Sequence, residues 1–315
     1  MRFSIIIPVY NAAHTLERCL LSVQRQTCED YQVLIVDDGS TDESGTIAAN
    51  FASRDSRFQV ITTTNAGPGA ARNVGLACAQ GEYVLHMDAD DFWPLADLLE
   101  QMNRQIETEA ADIFMYQMVK VTEDGRVLTR YTKPRFQREN VVLPLAEVYG
   151  DLVRDGQTLA SACNKCVRRE LLTAHETCFR ENIIGEDIDW ALQMFSCAAT
   201  ICLLNLDAYA YTQHKGPSRS SHPDAPNDLV TIICDWAQRL NGEAVAGFVA
   251  FEYGICMGSY HKLSREKKKI LRENVLLLWY GLDKKTKLIG RFYRIFGFRL
   301  TCFAIQTYLF LRRIW

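Results

Sequence analysis

The chain has no run of about 20 apolar residues, the length that a bilayer-spanning helix needs. Its longest candidate, Leu300 to Leu311, is too short. A secretory leader is not expected either. Arg2 precedes only a short apolar stretch, Pro8 interrupts it, and no small-residue cleavage site follows. Cys163-Asn164-Lys165-Cys166 has no second Cys-x-x-Cys and no His pair at zinc spacing, which argues against a zinc knuckle. The eleven cysteines are scattered and odd in number, so reduced thiols in a cytoplasmic setting are expected. There is no internal repeat and no low-complexity tract. The most localised absence is of acid: Lys284 to Trp315 holds eight Lys/Arg and no Asp or Glu.

That basic segment faces a body that is distinctly acidic, because the net charge of the whole is −3. Such asymmetry points to a membrane surface or nucleic acid. The interleaving of Lys284, Lys285, Lys287, Arg291, Arg294 and Arg299 with Leu288, Ile289, Phe292, Tyr293, Ile295, Phe296 and Phe298 favours an anionic membrane surface. Packing on its own domain or in a dimer is the alternative, and nucleic acid is not expected.

What is present is a globular composition, 48% hydrophobic and 23% charged, in 315 residues. Three apolar strands dominate the first 90 residues. Phe3 to Ile7 runs into Pro8-Val9-Tyr10-Asn11, Tyr31 to Val36 into Asp37-Asp38-Gly39-Ser40, and Tyr83 to Met87 into Asp88-Ala89-Asp90-Asp91. Ligands of parallel α/β sheets bind outside the carboxyl ends of the strands. If these strands are parallel neighbours, five carboxylates meet in one crevice, where they repel unless a cation or hydrogen-bond donors compensate. A divalent metal holding a phosphorylated ligand is the natural inference.

Helical and strand signals alternate up to Met118. Leu16, Cys19, Leu20 and Val23 recur at helical spacing, as do Leu95, Leu98, Leu99, Met102 and Ile106; Phe58 to Ile61 and Asp112 to Val119 read as strands. This βαβα order favours a doubly wound sheet. Lys120 to Tyr211 is mixed, with a hairpin turn at Glu123-Asp124-Gly125 and helices over Ala146 to Val153 and Trp190 to Cys197. Gly216 to Asp228 reads as a surface loop, and the signal beyond Leu229 is helical.

Read singly, each polar cluster has a bland explanation: acids after a strand make turns or helix caps, and acids at a helix start answer its dipole. Together they are more specific. Pro8 to Asn11, Asp37 to Asp42, Asn65 to Asn73, Asp88 to Asp91, Glu186-Asp187 and Tyr209 to His214 agree in order and spacing with one pattern. Over roughly residues 3 to 221 the chain resembles the family 2 glycosyltransferases of the GT-A fold.

The resemblance implies a fold and a chemistry. The fold would be a GT-A-type doubly wound mixed α/β sheet flanked by helices, with a C-terminal helical, basic amphipathic extension. Residues 1–221 would form the catalytic domain (1–118 for the nucleotide sugar, 119–221 for the acceptor), 222–283 a helical region and 284–315 a membrane-associating segment. Pro8, Tyr10, Asp38, Asn65, Arg72, Asp88, Ala89 and Asp90 would contact the nucleotide sugar. Asp90, with His214, would hold Mn²⁺ or Mg²⁺. Asp187 would be the general base, with Glu186 as runner-up. Trp190 and Asp91 are weaker acceptor contacts, Trp190 being equally readable as a buried aromatic. Lys215, Ser218 and Arg219 sit in a loop expected near the phosphates. Where the family often has Arg two positions after the second Tyr, this chain has Gln213.

The implied activity is inverting, metal-dependent sugar transfer from a nucleotide sugar, by preference a UDP-sugar, to a hydroxyl of a glycan or lipid-linked glycan. The implied setting is cell-surface polysaccharide or lipopolysaccharide synthesis, at the inner face of the cell membrane. A sugar-nucleotide nucleotidyltransferase is the first rival, but Pro8 to Asn11 lacks its Gly-rich phosphate loop. A non-catalytic scaffold of the same fold is the second. Leu229 to Leu282 suits either a dimer contact or a cover for the sheet.

Overall fold

The computed structural model describes residues 1–130, 136, 138–157, 159–214, 222–240 and 245–314. In chain order the elements are β1 (Phe3–Val9), α1 (Ala13–Gln24), β2 (Tyr31–Asp37), α2 (Ser44–Arg54), β3 (Phe58–Thr62), α3 (Pro68–Cys78), β4 (Tyr83–His86), α4 (Leu98–Thr108), β5 (Ile113–Thr122), β6 (Val127–Arg130), β7 (Val142–Pro144) and α5 (Leu145–Arg154). They continue as β8 (Lys165–Arg168), α6 (Arg169–Ala174), α7 (Glu186–Cys197), β9 (Thr200–Gln213), α8 (Ala225–Arg239), α9 (Ala246–Gly258), α10 (Arg265–Glu273) and α11 (Lys284–Ile314). Contacts divide the chain into two compact units. One comprises Met1–Leu145, Ala160–Asn182 and Asp189–Lys215; the other comprises Ala146–Leu159, Ile183–Ile188 and Gly216–Trp315.

The first unit contains the nine-stranded sheet, ordered β3-β2-β1-β4-β8-β5-β9-β7 with β6 beside β5. β1 pairs in parallel with β2 on one side and β4 on the other, so the two acid-bearing strands flank β1 and all three point the same way. Every residue of β1 and β2 is buried, as expected of strands covered on both faces. The chain steps from β1 outward to β2 and β3, then returns to place β4 on the other side, which puts a switch point at the carboxyl ends of β1 and β4. The helical spacing of the sequence is realised in α1, where Leu16, Cys19, Leu20 and Val23 are buried, and in α4, where Leu98, Leu99, Met102 and Ile106 are.

The second half of the sheet departs from the parallel rule. β8 runs antiparallel to both β4 and β5. The 14-residue β9 runs parallel to β5 through two register irregularities beside Gln117. The Glu123-Asp124-Gly125 turn joins β5 to the antiparallel β6, with Gly125 at φ 81°. The loop expected over Gly216 to Asp228 is shorter at its C-terminal end: Ala225 to Asp228 open α8, whose proline lies in the first turn, where a missing N–H costs nothing. Residues 216–221 of that segment lie outside the described residues. All eleven cysteines are free thiols; Cys163 and Cys166 are both buried.

The second unit is helical. α9 is buried on nearly every side, and α8, α11 and the short 3-10 segment Val275–Tyr280 pack on it. α11 is broken at Gly297, whose φ of 70° and ψ of 177° interrupt the helix; this left-handed φ is one that glycine adopts without strain. No helix among the described residues is long and apolar enough to cross a membrane.

Glu252, on α9, is 5% exposed, and burial pushes its carboxyl from the ordinary 4.5 up to about 7. That displacement opposes the charged form by about 3 kcal/mol. In the unfolded chain the group ionises near its ordinary value, so its contribution to stability declines as pH rises from about 4.5 to about 7 and is flat above. Glu252→Gln is expected to flatten that slope and to raise the melting temperature by several degrees at pH 8. Melting curves across pH 5 to 8 check it, and an unchanged slope would contradict it.

Candidate functional site

Two groups of carboxylates occupy the ends of β2 and β4, on either side of β1, and they are compensated differently. After β2, Asp37 Oδ1 accepts a hydrogen bond from Ser40 N at 2.9 Å, closing the turn that leads towards α2. Asp38 is 3% exposed. Its Oδ1 accepts from Ala66 N (2.9 Å) and Thr63 Oγ1 (3.3 Å), and its Oδ2 accepts from Gly67 N (2.8 Å). Asp38 thus pins the loop that precedes α3, where Gly67 takes a φ of 91°. Asn11 joins the turn by accepting from Thr41 N at 2.8 Å.

The second group follows β4. Asp88, Asp90 and Asp91 each offer an oxygen, and these oxygens lie within 4.8 Å of one another. Arg72, 4% exposed on α3, donates from Nη2 to Asp88 Oδ1 at 2.7 Å. Its guanidinium lies over the Phe179 ring, 5.1 Å from the centroid. Asp90 Oδ2 is 2.9 Å from His214 Nε2, and His214 Nδ1 is 3.2 Å from Glu123 Oε1. Asp91 is fully buried; it accepts from Tyr209 Oη at 2.6 Å and from Thr212 N at 2.7 Å. Burial first, and the neighbouring carboxylates second, raise the pKa of Asp90 and push that of Asp91 well up.

This donor set suits a hard divalent cation. Carboxylate oxygens are the ligands that Mg²⁺ and Mn²⁺ prefer, and the crowding that raises the pKa of Asp90 and Asp91 is relieved by added positive charge. Asp88 and Asp90 are half-exposed, whereas Asp91 is committed to β9.

The remaining expected residues are placed as follows. Pro8 is buried within β1, pairing with Val36, and Ala89 is buried between the two acids; Tyr10 and Asn65 are exposed. Glu186 and Asp187 open α7 after Gly185, which has a φ of 100°. Glu186 is buried and accepts from Gly185 N at 3.1 Å; Asp187 is half-buried. Both belong to the second unit, and the aspartates of β4 to the first. Lys215, Ser218 and Arg219 lie outside the described residues.

Two readings need correction. Trp190 is fully buried and stacks on Phe179 at 5.1 Å with the planes 1° apart, so it is a packed core aromatic and presents no face to a sugar. Asp91, equally buried, anchors β9 instead of reaching an acceptor. The sequence reading also missed two residues. Arg18 on α1 donates from Nη2 to the Asp90 carbonyl (2.8 Å) and Thr212 Oγ1 (2.9 Å), and from Nη1 to the Glu123 carbonyl (2.6 Å). It therefore ties the acid loop to β9 and to the hairpin turn. His86, the last residue of β4, packs edge-on against Phe179 and Trp190, and neither ring nitrogen has a hydrogen-bond partner among the described residues. Burial, then Arg72, hold its pKa well below the ordinary value, keeping it neutral beside that guanidinium. Arg18 had one signal in the sequence, a cation bordering the apolar face of α1; His86 had none beyond its place in a strand.

The order of strands and the acid-bearing end of β4 define a mixed α/β fold with a carboxylate cluster at its switch point, and known proteins share that fold. The sequence model of glycosyl transferase family 2 matches residues 4–172. The chain belongs to that family. It is 32% identical over 214 residues to the uncharacterized glycosyltransferase EpsJ of Bacillus subtilis, a match covering 67% of this chain and 61% of that one. The chain thus spans about three fifths of that relative's length. Its fold is similar to a crystal structure of S. aureus TarS 1-349 in complex with UDP-GlcNAc, with a TM-score of 0.70, 22% identity, and coverage of 98% of this chain and 91% of that one. A mannosyltransferase from Pyrobaculum calidifontis in complex with GDP-Man and Mn²⁺ is more distant, with a TM-score of 0.53, 16% identity, and coverage of 97% and 87%.

Proposed function

We propose that this chain is an inverting, metal-dependent glycosyltransferase that takes a sugar from a nucleoside-diphosphate sugar and joins it to a hydroxyl of a glycan or lipid-linked glycan. One observation carries the reading: Asp88 and Asp90, half-exposed at the switch point of the sheet, stand with Arg72 in a cluster where burial and neighbouring carboxylates raise the pKa of Asp90 and Asp91. A uracil nucleotide is preferred, supported by the UDP-GlcNAc complex of the TarS neighbour.

Asp90, with Asp88, would hold Mn²⁺ or Mg²⁺, which when bound supplies positive charge against a departing diphosphate. The chain's own residues do the rest. Asp38 keeps the Gly67 loop in place beside the nucleotide; its Oδ1 already accepts two hydrogen bonds, so Oδ2, which accepts one, is the oxygen with capacity for a base N–H. Arg72, held between Asp88 and Phe179, is a fixed cation for an anionic donor. Asp187 takes the proton from the acceptor hydroxyl as its oxygen attacks the anomeric carbon. One displacement on the face opposite the leaving diphosphate inverts that carbon, through an oxocarbenium-like transition state. α11, with exposed apolar residues between basic ones, would rest on the inner face of an anionic membrane, where lipid-linked acceptors for cell-surface polysaccharide reside.

The test is a thermal-shift and calorimetric titration with UDP, GDP, dTDP and CDP, each with and without Mn²⁺. Binding of one diphosphate that requires the metal is expected, UDP foremost. Failure of all four would remove the donor site and leave a non-catalytic scaffold. Release of pyrophosphate from a nucleoside triphosphate would instead favour a nucleotidyltransferase.

A further inference from the structure

The second unit contains a groove that the transfer reaction does not use. It has a volume of about 720 Å³, within the range of small-ligand cavities, and is lined by Phe251, Ile255, Ile289, Phe292, Ile305 and Leu309. Its walls are α9 and the two arms of α11. The first arm approaches α9 at Gly254, where an added Cβ would lie 3.3 Å from Ile289. The second approaches at Gly258, where it would lie 3.0 Å from Leu309. The break at Gly297 is what lets one helix supply both walls. Among the described residues, the one basic side chain in the lining is Lys285, which is exposed.

We propose that this groove takes one acyl chain of an anionic phospholipid from the bilayer, with the lipid phosphate beside Lys285. The inference rests on the membrane-surface reading of α11 and adds a defined binding site to it. The lining calls for hydrocarbon, and the surroundings call for a bilayer: Leu288, Ile295, Leu300, Phe303 and Phe310 on the same helix are each more than half exposed. The charge selects the headgroup. Lys284 to Trp315 carries eight cations and no acid, so an anionic lipid is attracted, whereas a second copy presenting the same face is repelled.

The experiment uses the full chain and a short-chain phosphatidylglycerol kept monomeric, below its micelle concentration, so that no membrane is present. Saturable binding of one lipid per chain is expected by calorimetry, at least tenfold weaker in Ile255→Trp, which fills the groove. Lys285→Glu should weaken it several-fold while leaving the matching phosphatidylcholine unaffected. Leu309→Trp serves as the filling variant if Ile255→Trp fails to fold. No saturable binding by the unaltered chain, equal binding by a folded filling variant, or self-association in place of lipid binding would each overturn the proposal. Pelleting with phosphatidylglycerol vesicles tests the surface reading separately. Vesicle binding without monomer binding sinks the groove alone, and monomer binding without vesicle binding leaves a lipid site in the groove but overturns its filling from a bilayer, and the surface reading with it.

Discussion

Asp90→Asn is expected to abolish the metal dependence of nucleotide binding while leaving the fold intact. The side chain keeps its shape and can still accept from His214 Nε2, which lies 2.9 Å away. What disappears is a carboxylate beside Asp88 and Asp91, in a cluster whose shared burial and mutual repulsion already raise the pKa of Asp90. Removing a residue behind the ligands of a metal site typically costs about 10–100-fold in affinity, and losing a charged ligand itself should cost at least about 100-fold. Without metal the repulsion is relieved, so the melting temperature of the variant should equal or exceed that of the parent. With Mn²⁺ and UDP, the stabilisation that a native-state ligand confers should be lost. Calorimetry and melting curves with and without Mn²⁺ separate these effects. A variant that binds UDP as before, still only with metal, would show that Asp90 is not a ligand.

Asp187→Asn is expected to cut turnover at least about 100-fold, the ordinary size of a general-base effect, with donor affinity unchanged. Asp187 is the second residue of α7 and is half-buried. Glu186 beside it is buried and turned onto the backbone N–H of Gly185. That difference in exposure makes Asp187 the better placed of the two to meet an acceptor hydroxyl, and Glu186→Gln should cost turnover much less. Single-turnover rates with a saturating donor, followed across pH, provide the check. The acid limb of the profile should disappear in Asp187→Asn and persist in Glu186→Gln. Near-normal turnover by Asp187→Asn would sink the assignment, and the opposite ranking of the two variants would move the base to Glu186.

Much of this was legible in the residues because it is written locally. Apolar runs that end in acids describe buried strands and the chemistry at their carboxyl ends, and periodic Leu16, Cys19, Leu20 and Val23 describe one face of a helix. Asp37, Asp38, Asp88 and Asp90 are therefore conspicuous in the residues alone, as is the acid-free stretch from Lys284. Residues whose meaning depends on a distant partner did not. Asp91 and Asp90 are adjacent and chemically identical, yet one is fully buried against Tyr209 and Thr212 while the other is half-exposed beside His214. Only the parallel pairing of β9 with β5, across roughly 90 residues of chain, creates that difference. Trp190 became core because Phe179 covers its face, Arg18 became a tie because the loop after β4 folds over α1, and Gly297 became a break because both arms of α11 return to α9. Strand and helix identity, and the chemical character of their ends, follow from period and side-chain type along the chain. Which acid is exposed, which aromatic is covered and which cation is bound to a carbonyl follow from burial and partnership, and those exist only once remote segments have packed.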